Sequence, residues 1–115
     1  MREIKFRVWD MKHNEYIYWD ELKAIPGVLG MLLTGKLTNS IIEQFTGLHD
    51  CEGKEIYEGD IVEITTPDGD VLDVHDEIVY SDIHAAFFLR TRHVDICSFI
   101  ESDYTFKIIG NIHEK

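Results

Sequence analysis

Alternation with period two dominates this chain and marks half-buried β-strands. In REIKFRVW (2–9), Ile4, Phe6 and Val8 fall on one face, and Glu3, Lys5, Arg7 and Trp9 fall on the other. The turn residues of DMKHNE follow, and YIYW (16–19) reads as a return strand. Residues 2–9 and 15–19 therefore predict a hairpin with a long loop. Residues 20–43 break the pattern by mixing helix formers with Pro26, Gly27, Gly30 and Gly35. Asp20 is placed to cap a short helical turn, and Pro26 to end or restart it. VLGMLL (28–33) fits a short buried helix and a buried strand equally.

Beyond residue 40 the alternation returns, punctuated by turns. SIIEQFTG reads as a strand, with Phe45 as a candidate core anchor. Asp50 can bond backbone amides locally and Gly53 can take a positive φ, which makes HDCEGK a turn. Ile56 is a second candidate anchor, and Glu58-Gly59-Asp60 makes a second turn. It feeds a strand through Ile61, an outward Val62 and Ile64. TPDGD is a hairpin signal, with Pro67 preset and Asp68-Gly69 suited to positive φ. VLDV, DEIVYSD, AAFFLRTR, HVDICSFI and YTFKIIGNI continue as strand candidates. Short strands separated by Gly/Asp turns predict a mainly β, β-rich α+β fold. Its core is a small bent SH3-like barrel over residues 41–115. Residues 1–40 form the N-terminal hairpin and a short helical or irregular segment, in a single 115-residue domain.

Composition agrees with a packed domain. Apolar residues make up 44% of the chain, and 13 aromatics argue against disorder. Cys51 and Cys97 sit in no paired motif, which fits free thiols in a cytoplasmic protein. MREIKFRVWD lacks the apolar run of a secretion signal, and no stretch reaches the length of a membrane span.

Charge narrows the partners. The net charge is −11, yet residues 1–12 alone carry +2. Between Lys54 and Arg90 there is no Lys or Arg, while ten acids run from Glu55 to Asp82. Phosphate-backbone binding needs clustered cations, so direct nucleic-acid binding is disfavoured. An acidic face serves solubility first, and cationic partners or mimicry of a polyanion second.

Candidate chemistry is sparse. His93, Asp95 and Cys97 would share one strand face, but side chains two residues apart on a strand sit nearly 7 Å apart. Three such ligands converge on one zinc only with a bulge, so a polar strand face is the better reading. His49 and Cys51 are two ligand types in an exposed turn, too few for a site. Asp68, Asp70 and Asp73 lack the ligand series of a calcium loop, and hairpin chemistry explains them without a metal. No nucleophile elbow and no phosphate-cradling glycine loop occurs. The expectation is a protein without catalytic residues, metal or cofactor. Trp9, Tyr16, Tyr18 and Trp19 cluster in the hairpin with Lys5 and Arg7, which makes these six residues a candidate interaction patch.

Three blocks carry a family resemblance: KFRVWD (5–10), FTGLHDCEGKEIYEGDIV (45–62) and IGNIHE (109–114). Their order and spacing resemble the YopX family of small proteins encoded by phages and prophages of bacteria. The chain departs from that pattern at His49 and at Cys51-Glu52, where the family usually carries lysine-like and Lys-Asn-like residues. The resemblance implies a β-rich fold with a barrel core, action inside a bacterial host cell, and self-association. It carries over no catalytic or cofactor residue. The expectation is thus an accessory protein acting through protein contacts as a homo-oligomer. The alternative is a polyanion mimic that occupies a host or phage nucleic-acid-binding protein. Within the central block, Asp50, Gly53, Gly59 and Asp60 read as turn-forming scaffold.

Overall fold

The computed structural model describes residues 4–27, 30 and 40–113. The assignment of VLGMLL lies outside the described residues. Backbone contacts divide the chain into two compact units, Met1–Phe45 and Thr46–Lys115. The fold is mainly β, with two antiparallel sheets and two short helices among the described residues.

In the first unit, β1 (Phe6–Asp10) pairs with β2 (Glu15–Ile17) in the register Val8↔Ile17, Trp9↔Tyr16 and Asp10↔Glu15. The connection needs a left-handed residue, and Asn14 supplies it at φ 54°. Asp10 ties the loop down by accepting from the Lys12 amide (2.9 Å) and pairing with the His13 ring (2.7 Å). The other edge of β1 pairs with β3 (Ser40–His49), matching Arg7 to Glu43 and Val8 to Ile42.

The return strand is shorter than the sequence predicts. Trp19 opens α1 (Trp19–Leu22) instead of closing the strand. The cap is Tyr18, whose carbonyl accepts from Glu21 and Leu22 at 3.0 Å each, so Asp20 sits inside the first turn. The helix forms because Leu22 and Trp19 then fold onto Val8, Ile17 and Ile42 in one apolar cluster. Val8 and Leu22 are its buried centre.

In the second unit, β4 (Glu55–Tyr57) lies beside β3. The second sheet has the order β8-β7-β6-β5-β9, and one of the two sheets curls into a half-barrel. Its strands are β5 (Asp60–Thr65), β6 (Asp76–Ser81), β7 (Ala86–Leu89), β8 (Val94–Asp95) and β9 (Thr105–Asn111). The core comprises Ile56, Val62, Ile64, Ile78, Phe87, Leu89, Ile96 and Phe106. Alternation along β5 puts Val62 and Ile64 at 0% exposure, so Val62 points inward and Ile61 takes the other face, the reverse of the sequence expectation. Residue 109 is extra in β9: Ile61 faces Gly110 while Val62 faces Ile108.

Two further segments depart from the strand reading. VLDV contributes only the isolated bridge Thr65↔Val71. HVDICSFI is a two-residue strand followed by α2 (Ile96–Glu101). Asp95 caps α2 by accepting from the Cys97 amide at 2.7 Å, which satisfies an amide that has no partner within the helix. Ile96, Phe99 and Ile100 then recur at helical spacing and pack on the core.

Candidate functional site

The six residues of the hairpin patch divide between the two faces of β1 and β2. On one face, Trp9 and Tyr16 are cross-strand partners with ring centroids 4.9 Å apart. Tyr16 continues to Tyr18 at 5.6 Å. Arg7 lies over the Tyr16 ring at 4.1 Å, and Lys5 lies over Phe45 at 4.9 Å. Trp19 instead meets Phe6 edge-on at 6.0 Å and belongs to the Val8–Leu22 cluster.

Exposure within this column falls sharply from end to end. Tyr18 is 49% exposed, Trp9 and Tyr16 are half-buried, and Arg7 is 5% exposed. The burial of Arg7 follows from β1–β3 register, which sets it opposite Glu43, itself 3% exposed. Arg7 Nε donates to Glu43 Oε1 at 2.8 Å, and the Tyr16 hydroxyl donates to the same oxygen at 2.9 Å. A buried charge is tolerated when it is paired and hydrogen-bonded, and this pair meets both conditions. The partner was not visible in the sequence because 36 residues separate the two positions.

The central turns are built around carboxylates. Asp50 is 6% exposed and its two oxygens accept three backbone amides: Glu52 (2.9 Å), Lys54 (2.8 Å) and Ile108 (3.1 Å). Burial pushes this carboxyl up, but the three amides and Lys54 outweigh it and hold it below the usual carboxylate range. Gly53, at φ 84°, closes the turn by donating to the Asp50 carbonyl. Gly59, at φ 89°, donates to the Ile78 carbonyl and accepts from the Ile112 amide. Asp60 is 2% exposed and accepts from the Tyr57 amide at 2.8 Å.

The acidic block does not form one surface. Besides Asp60, Asp76 is buried and accepts from the Glu77 and Thr91 amides and from Arg92 at 3.1 Å. Burial raises its pKa, but the Thr91 and Glu77 amides, the Thr91 side chain and Arg92 together bring it below the ordinary value. Glu77 pairs with Arg90 at 3.0 Å. Asp68, Asp70, Asp73 and Asp82 are exposed.

Among the described residues, no group of three or more His, Cys, Asp or Glu is placed to hold a metal ion. His93 ends a turn at φ 53°, Asp95 is committed to its cap, and Cys97 lies in α2. Desolvation and the adjacent Asp95 push the Cys97 thiol up, away from the thiolate needed for nucleophilic work. Cys51 is an exposed free thiol in the Asp50 turn, and His49 is exposed at the end of β3. No helix among the described residues is long and apolar enough to cross a membrane.

This arrangement defines a mainly β protein whose buried carboxylates are occupied by backbone amides, at Asp50, Asp60 and Asp76, and by arginines, at Glu43 and Asp76. The YopX protein family matches residues 30–115, and the chain belongs to that family. The crystal structure of protein EF1440 from Enterococcus faecalis is similar, with a TM-score of 0.64 and 26% sequence identity, covering 99% of this chain and 96% of that one. No curated protein matches the chain.

Proposed function

We propose that this YopX-family protein is a phage- or prophage-encoded accessory protein. It acts inside the bacterial host cell through protein–protein contacts, assembles as a homo-oligomer and catalyses no reaction. The observation that carries the reading is the Trp9–Tyr16–Tyr18 column, seated on a buried Arg7–Glu43 pair and ending at an exposed tyrosine. Rigid aromatic side chains bring large contact area at low entropy cost, and aromatic and Arg residues are enriched at interfaces. The pair beneath holds the column in one geometry before any partner arrives, which lowers the ordering cost of association. Polyanion mimicry draws less support, because Asp60 and Asp76 face inward and Glu77 is ion-paired.

Sedimentation velocity over roughly 1–100 μM tests the reading, a range that brackets micromolar association. The wild type is expected to shift to larger species with concentration, and Tyr18→Ser to shift less. Identical profiles for the two proteins would remove Tyr18 from the contact.

A further inference from the structure

The outer face of the β6–β7 hairpin carries a hollow of about 380 Å³, within the size range of small-molecule sites. Its floor is the cross-strand pair Val79 and Phe88, both half-buried, and one wall is Ile83. Ile83 is 92% exposed, the most exposed of the large apolar side chains among the described residues.

The rim supplies hydrogen-bond donors. Arg90 gives one guanidinium nitrogen to Glu77 at 3.0 Å, and its side chain is still 70% exposed. A guanidinium carries five N–H donors, so the others remain for a ligand. The His93 ring lines the hollow and has no hydrogen-bond partner among the described residues; neutral imidazole still donates through one nitrogen. On the opposite side, His84 Nδ1 meets Ser81 Oγ at 3.0 Å, and its ring lies tilted by 30° against Phe88 at 4.8 Å. That contact fixes one aromatic plane at the mouth.

Two backbone features hold this arrangement. Ala85 and His93, at φ 50° and 53°, close the turns at the two ends of β7 in a conformation that non-glycine residues rarely take. The His93 amide donates to the Leu89 carbonyl at 2.8 Å, which fixes where the ring enters. Charge sets the ligand sign. Arg90 is the one Lys or Arg among the residues that line the hollow, and Arg92 in the same turn is bound to Asp76 and the Val74 carbonyl. Arg90 and His93 are therefore the groups left to receive an anion.

We propose that this hollow binds a small planar aromatic anion, with its ring on Val79 and Ile83 beside the His84–Phe88 ring pair and its carboxylate on Arg90 and His93. Charge-assisted bonds to a guanidinium are the stronger class of hydrogen bond, so the carboxylate carries much of the selectivity.

The test is a titration of the full chain with 2-naphthoate, followed by amide chemical shifts, with 2-naphthamide as the uncharged match in shape. Saturable shifts confined to residues 79–93, with Kd at or below about 1 mM, are expected for the acid. The amide should bind at least about tenfold more weakly. His93→Gly suits the left-handed backbone, so it keeps the fold while removing the ring, and should weaken 2-naphthoate several-fold; Arg90→Gln should do the same. No saturation by 2-naphthoate, shifts scattered over the chain, equal binding of the two probes, or full binding by both variants would each overturn the proposal.

Discussion

The Asp50 carboxylate accepts the amide of Ile108, 58 residues further along the chain, at 3.1 Å. One residue on, the Cys51 amide donates to the Phe106 carbonyl at 2.8 Å. Strand β9 pairs with β5 along one edge, so these two bonds occupy groups on its other edge. An unpaired edge is a template for non-native strand addition, and the Asp50 turn blunts it. A turn that reads in sequence as local punctuation thus also secures a strand at the far end of the chain.

Asp50→Asn should therefore destabilise the fold by about 1–3 kcal/mol, because the amide side chain cannot accept all three amides and sets N–H against N–H at one of them. Urea denaturation measures this. Stability equal to the wild type would mean that the turn and β9 hold without the carboxylate.

Gly59→Ala is expected to cost about 1–2 kcal/mol, since φ is 89° and an L-residue is strained there. The Gly59 amide and carbonyl also join Ile78 and Ile112, so the strain falls on a junction. Thermal unfolding reads the loss, and an unchanged Tm would contradict it.

The turns were legible in the sequence because their chemistry is local. Asp50 with Gly53, Gly59 with Asp60, and Pro67 with Gly69 each need only a side-chain acceptor or a positive φ within five residues. Helix α2 was not legible, because Ile96, Phe99 and Ile100 sit among residues that also satisfy alternation, and a six-residue helix offers too few turns to separate the two periods. The aromatic cluster of the hairpin was visible, but its division was not. Trp19 leaves the strand for α1, and the burial of Arg7 depends on a partner that only strand register brings opposite.

The Arg7–Glu43 pair should show strong coupling. Arg7→Met alone is expected to cost about 3–5 kcal/mol, because it takes the 2.8 Å guanidinium bond from a Glu43 carboxylate that is 3% exposed. Glu43→Leu should cost a similar amount. The double variant should lose less than the sum of the two, as apolar replacement of both partners removes the stranded charge. Additive losses in a denaturation cycle would contradict the coupling.

Acid should weaken the second unit through Asp76. Its folded pKa lies below the ordinary 3.8, so it adds stability above that value and loses it as pH falls through the lowered folded value. The stability gap between wild type and Asp76→Asn should be constant above about pH 5 and shrink toward about pH 3. A gap that widens on acidification would reverse the sign.

The proposed assembly is tested most directly by gel filtration with light scattering at about 50 μM, well above micromolar dissociation constants. A mass of at least twice the 13.4 kDa chain is expected, with a lower mass for Tyr18→Ser. A strict 13.4 kDa monomer at that concentration would contradict the homo-oligomer and leave the aromatic column without a second copy to meet.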